Sequence, residues 1–174
     1  MSDAPAPAAA PEAAPEQAAP SVQDLQVLAH NYHVPVSSQT LQELAPDGKV
    51  DPQKAQAFEE YLKTVAAGLY PTLAPQIRQG IPTAYLLDPY RQMGKQVLGP
   101  NFEPNFQNDP NARAALEGGV DPATGRPAPM SLSQWQAHLK SDPAFGYDQT
   151  PQGQAEKRQV LARIQQAFTQ GGES

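Results

Sequence analysis

Aspartate is followed directly by proline at five places in this chain: Asp51-Pro52, Asp88-Pro89, Asp109-Pro110, Asp121-Pro122 and Asp142-Pro143. Thr150-Pro151 is a further pair of the same kind. An aspartate or threonine just before a helix accepts from a backbone N–H that lacks an intrahelical partner. Proline in the first helical position gives up a donor that would be idle there anyway. At least four of these pairs precede helix-compatible sequence, so proline here punctuates helices.

Of the 20 prolines, five lie in residues 1–20, "MSDAPAPAAAPEAAPEQAAP", which offer no branched or aromatic side chain to bury. Such composition cannot offset the entropy of ordering, and it predicts a disordered Ala/Pro/Glu-rich arm. The opening residues have no basic segment followed by an apolar one, so they do not read as a secretory signal. Residues 21–170 are expected to form one helical domain, and 171–174 a flexible tail.

Between the prolines the apolar spacing predicts short helices. Ser21 caps one running to about Tyr32, with Val22, Leu25, Leu28 and Ala29 on one face. Ser38 caps another that carries Leu41 and Leu44. From Pro52 to Ala67, the three-four spacing of Ala55, Phe58, Leu62, Val65 and Ala66 marks a buried stripe, with Gly68 as its stop. "YPTLAPQIRQG" supports a helix ending at Gly80, and Pro82–Leu98 reads as two helical pieces hinged at Asp88-Pro89. Pro110–Glu117 is stopped by Gly118-Gly119. Ser131 caps a helix to Lys140, and Pro151–Gln170 forms the last. No segment sustains the alternation of a strand. The expected fold is all-α, a compact bundle of about six to eight short helices behind the arm. Phe58, Leu62, Trp135, Leu139, Ile164 and Phe168 are its expected core anchors.

The last helix combines the stripe Val160, Leu161, Ile164, Ala167 and Phe168 with the charges Glu156, Lys157, Arg158 and Arg163. Patterning favours packing on its own domain, with a partner-binding helix as the alternative. Phe102 and Phe106, in "GPNFEPNFQNDP", have no regular element to bury them. They are the candidate interaction residues, and packing on the chain's own core is the alternative.

Chemistry finds little purchase. The chain has no cysteine, which excludes disulfides, thiolate metal sites and cysteine nucleophiles. His30 and His33 stand at a metal-compatible spacing but lack a third ligand, so a surface or capping pair is expected, and no metal or cofactor. His138 is expected to edge the core or to meet the final carbonyls of its helix. "PDGKVD" departs from a calcium loop, because Lys54 falls where the bidentate glutamate belongs. There is no Gly-x-Ser-x-Gly elbow and no phosphate-binding glycine loop. Glu43, Glu59, Glu60, Glu103 and Glu117 are carboxylates that solvated helix faces explain as well as a glycosidase pair does. A net charge of −6 disfavours a dedicated nucleic-acid binder. No apolar run approaches the ~18 residues of a membrane span.

The order "LYPTLAPQIRQG", "LLDPYRQMGKQVLG", "NDPNARAAL", "PMSLSQWQAHLKSDPAFGYDQT" and "QQAFTQGG" resembles the C-terminal helical module of virion-associated structural proteins of tailed phages that infect actinobacteria. The resemblance is best from Tyr70 onward. It implies a non-enzymatic component of the particle, made in the bacterial cytoplasm, that docks to other virion proteins and to copies of itself. It carries over no catalytic residue. An assembly scaffold absent from the mature particle, and a virion-carried peptidoglycan hydrolase, are the alternatives.

Overall fold

The computed structural model describes residues 19–170, with side chains through residue 166. Among them are eight α-helices, three single 3-10 turns and one minimal hairpin, so the chain is an all-α bundle. The helices are α1 (Val22–Asn31), α2 (Ser38–Leu44), α3 (Pro52–Leu69), α4 (Ala74–Arg78), α5 (Thr83–Leu98), α6 (Pro110–Glu117), α7 (Leu132–Ser141) and α8 (Pro151–Gln170). The expected arm, apart from residues 19 and 20, and the tail at 171–174 lie outside the described residues. Residue 20 is already part of the fold, because the Pro20 carbonyl accepts from Val50 N–H at 2.8 Å.

One hydrogen bond recurs at four of the Asp-Pro pairs. Asp51, Asp109, Asp121 and Asp142 each accept, through the side chain, the N–H two residues ahead, at 2.8–2.9 Å. The element launched from that bond differs from pair to pair. Asp51 and Asp109 launch α3 and α6, while Asp142 launches only the 3-10 turn Pro143–Phe145. Asp121 closes the turn of the hairpin between β1 (Gly119–Val120) and β2 (Pro127–Ala128), where its other oxygen takes the Thr124 hydroxyl at 2.8 Å. The local bond opens a turn, and the apolar pattern downstream decides whether a helix continues from it.

Asp88-Pro89 behaves differently. The two hinged pieces expected there are one helix, with Pro89 inside α5. Proline deprives the carbonyl four residues earlier of its partner. That carbonyl belongs to Tyr85, which is 71% exposed, so water can replace the lost donor. Two smaller corrections concern helix ends. Ser37, not Ser38, caps α2 by accepting from Thr40 N–H at 3.1 Å. Gly68 does not stop α3, which runs through Leu69 and ends against Tyr70-Pro71. Ser21 and Ser131 do cap as expected, each in a reciprocal box with Asp24 and Gln134. The Ser21 amide and hydroxyl together hold the Asp24 carboxyl below its ordinary range.

The core runs from α1 across α3 to the α5–α7 pair. Phe58, Leu62, Trp135 and Leu139 all lie in it, the last three of these four fully enclosed or nearly so. Trp135 locks α7 to α5 by donating its indole N–H to the Tyr90 carbonyl at 3.0 Å. Tyr90 in turn donates its hydroxyl to Met130 O at 2.7 Å, which ties the approach to α7 against the same helix. His138 edges this core, its ring 5.6 Å from that of Trp135 and 5.7 Å from that of Phe145.

Candidate functional site

Three places were singled out by the sequence: the 101–106 loop, the histidine pair and the last helix. The structure sorts them differently.

The loop aromatics point inward. Phe106 is 3% exposed and meets Tyr90 edge-on, with ring centres 6.4 Å apart, and Trp135 at 6.5 Å. Phe102 lies against Phe145 at 5.9 Å and over Gly94, where a Cβ would stand 2.6 Å from its ring. Of the expected docking pair, Phe106 is therefore core, and Phe102 is half-buried against it. The physical reason is a notch in α5 that only glycine leaves open. Gly94 was the available signal, since a mid-helix glycine sacrifices about 1 kcal/mol relative to alanine and calls for a packing partner.

Of the histidine pair, expected at the surface or as a cap, His30 is exposed and His33 closes the end of α1. It takes the left-handed conformation just past the end of α1, with φ 54°. Its N–H donates to His30 O at 3.0 Å and Val34 N–H donates to Ala29 O at 3.1 Å, the paired bonds of a Schellman ending. Glycine or asparagine normally occupies that position, and a histidine there carries backbone strain of order 1 kcal/mol. The ring explains its presence. An Arg91 guanidinium N–H donates to His33 Nε2 at 2.7 Å, and arginine can only donate. Nδ1 therefore carries the proton and donates to Thr83 Oγ1 at 2.8 Å. The Thr83 hydroxyl, fully buried, passes the chain on to Asn31 O at 3.1 Å. Gln107 closes it from the loop by donating to His33 O at 3.0 Å.

Burial, with the Arg91 charge next and His30 after it, holds the His33 pKa down at about 4, so the ring is neutral. Both ring nitrogens are engaged, which leaves no lone pair for a proton in transfer or for a metal. Among the described residues no group of three His, Asp or Glu side chains converges as a metal site. The chain of bonds borders an open cavity of about 510 Å³ lined by His30, Tyr70, Arg91 and the 103–107 loop. Thr83, Arg91 and Gln107 carried no sequence signal, because they meet only when α1, α5 and the loop converge.

The last helix is where apolar surface is left uncovered. Its start is fixed tightly. Thr150 accepts from Gly153 N–H at 3.0 Å and donates its hydroxyl to Tyr147 O at 2.7 Å. Gly153 presses on that same carbonyl, and a Cβ there would stand 2.2 Å from it. Lys140 then bonds Glu156 at 2.8 Å and lies 5.0 Å over the Tyr147 ring. Glu156 foremost raises the Lys140 pKa, and Lys140 lowers that of Glu156. Beyond this anchor, residues 154–166 are exposed throughout. Val160 is 54% exposed, Leu161 53% and Ile164 46%. Ile164 is thus not a core anchor, and among the described residues the stripe Val160, Leu161 and Ile164 lies exposed. The Phe168 side chain lies outside the described residues.

A second uncovered apolar surface lies between α2 and α3. It is a groove of about 330 Å³ lined by Thr40, Leu44, Lys54, Ala57, Phe58 and Tyr61. Phe58 forms its floor and the 53%-exposed Tyr61 its rim, the two rings stacked at 6.3 Å.

No family model, no curated protein and no solved structure matches the chain. Among the described residues no helix is long and apolar enough to cross a membrane.

Proposed function

We propose that this protein is a non-enzymatic structural component of a tailed-phage particle, working by docking through its last helix. The observation that carries the reading is the bare stripe Val160–Leu161–Ile164 on a helix whose base is rigidly fixed. A helix that is held at one end and apolar along an exposed face is what a helix-in-groove contact requires. The motifs from Tyr70 onward, which resemble the closing module of virion-associated proteins, supply the setting. In this reading the protein is made in the bacterial cytoplasm and incorporated into the virion beside other virion proteins. The His33–Thr83 chain keeps the α1–α5 corner rigid and takes no part in turnover.

Quantitative mass spectrometry of purified particles tests this. The expected result is the protein at a fixed ratio to the major capsid protein. Its presence in assembling but not mature particles would make it a scaffold. Clearing of a cell-wall suspension by the purified protein would replace docking with peptidoglycan hydrolysis.

A further inference from the structure

Arg91, on α5, lines the cavity of about 510 Å³ at the α1–α5 corner together with His30, Val34, Tyr70, Asn105 and Phe106. Acids outnumber bases in this chain by 18 to 12, yet among the described residues no carboxylate stands within ion-pair reach of its guanidinium. The partner it does have, His33 Nε2 at 2.7 Å, belongs to a neutral ring and leaves the charge in place. The Arg91 Nε is enclosed and finds no acceptor in the protein. A buried donor without a partner is costly and rare, and each instance calls for an explanation. Glu103 also lines the cavity, but it pairs with Lys95 at 2.5 Å, and that pair brings no net charge. The cationic charge left unmatched at this corner is that of Arg91.

We propose that this cavity binds a small organic monocarboxylate, with the carboxylate on Arg91 and its apolar body against Val34, Pro104 and Phe106. The site goes beyond the docking reading above and does not depend on it. The two oxygens of a carboxylate match the guanidinium fork and supply acceptors and the missing charge together, whereas water supplies acceptors alone. Tyr70, Asn105 and His30 set a hydroxyl, an amide and an imidazole around the same space for further hydrogen bonds. The volume falls inside the range of small-molecule sites, about 300–1,000 Å³. A phosphate, close to two charges at neutral pH, would outweigh the single guanidinium, and Lys95 is engaged by Glu103. His33 is itself held through Nδ1 to Thr83 Oγ1 at 2.8 Å, so it fixes the guanidinium in one orientation without neutralising it. A long side chain ordered in advance loses little entropy when a ligand arrives.

NMR titration of the isotope-labelled full chain at neutral pH, with four probes, decides the matter. Hexanoate should shift the Arg91 Nε–H and His33 ring signals together and saturate with a Kd of about 1 mM or tighter. Acetate lacks the apolar body and hexanamide the charge, so each should bind at least about tenfold more weakly. Inorganic phosphate, the fourth probe, should not compete. Arg91→Lys keeps a cation but loses the fork, and should weaken hexanoate at least about tenfold. Pro35→Glu is the second variant should the first fail to fold, since Pro35 is an exposed residue of the cavity wall. The acid it adds should weaken hexanoate by a similar factor at low salt, and less at about 500 mM, where charge is screened. Wild-type affinity in either folded variant would overturn the proposal. Hexanamide binding as tightly as hexanoate would show an apolar pocket indifferent to charge and would overturn it too. So would phosphate that displaces hexanoate, which would mark a general anion site, or the absence of any shift with hexanoate at about 20 mM.

Discussion

Arg91 and His33 fix each other: the guanidinium donates to Nε2 at 2.7 Å, and that single bond dictates which imidazole nitrogen carries the proton. The neutral tautomer then has its one N–H aimed at Thr83, and the left-handed backbone of His33 is held by bonds at both ends of the ring. A residue in a conformation that favours glycine persists only where its surroundings over-determine it.

This arrangement makes stability depend on pH. The folded-state pKa of His33, about 4, lies below its ordinary value of 6.5, so the unfolded chain takes up the proton first. The stability contributed by the neutral ring is present in full above about pH 6.5 and is lost as pH falls toward 4. With the ring half-buried and solvent screening allowed for, the loss is about 1–2 kcal/mol. Urea unfolding at pH 7 and pH 4.5 reads it. His33→Asn tolerates the left-handed backbone and does not titrate, so it should lose correspondingly less across this interval. Parallel losses in the two proteins would place the pH sensitivity elsewhere.

Glycine to alanine inside a helix normally stabilises by about 1 kcal/mol. At position 94 the sign should reverse, because the new methyl would stand 2.6 Å from the Phe102 ring. Gly94→Ala is expected to destabilise by about 1–3 kcal/mol, the range for overpacking. Phe102→Ala should make the same change nearly harmless, and thermal unfolding of the four proteins of that cycle measures the coupling. Additive effects would show that the ring does not fill the notch.

The residues that sequence read well are those whose neighbours lie close along the chain. Ser21, Ser131 and Asp51 cap through bonds to residues two or three positions ahead, and Phe58 and Leu62 share a face because a helix repeats. The fold class rests on such local rules. Ile164 shows where they stop. Its spacing is that of a buried stripe, yet periodicity says only that a face is apolar, not what covers it. Phe106 fails in the opposite direction, as a loop residue buried by Tyr90 and Trp135, which are distant in sequence. Pro89 sits inside α5, and the exposure of Tyr85, whose carbonyl loses its partner there, is a fact of the assembled fold that no dipeptide encodes.

Phe106→Ala should cost about 3–5 kcal/mol, as should Trp135→Ala, since each removes a large aromatic from the same cluster. Denaturant melts at neutral pH supply the numbers. Because the rings touch, the double variant should lose less than the sum of the two. A cost below about 1 kcal/mol for Phe106→Ala would put that ring at the surface and restore the loop as a contact site.

Gly153 and Ile164 lie eleven residues apart on one helix, and they should respond to substitution in opposite ways. Ile164 is 46% exposed, so Ile164→Ala should change stability by less than about 1 kcal/mol in dilute protein, against about 2–5 for Leu62→Ala in the core. Gly153 is buried against the Tyr147 carbonyl, which is backbone and cannot swing aside as a side-chain tip can. Gly153→Ala must lift the first turn of α8 off the 147–149 turn and weaken the Thr150 cap with it. The expected cost is about 1–3 kcal/mol, together with faster amide exchange at Gly153 and Gln154, whose N–H groups are bonded to Thr150. Hydrogen exchange along α8 in the two variants separates an anchored base from a bare shaft. If Ile164→Ala were the costly change and Gly153→Ala the silent one, the helix would be packed along its length and its apolar stripe would not be available to a partner.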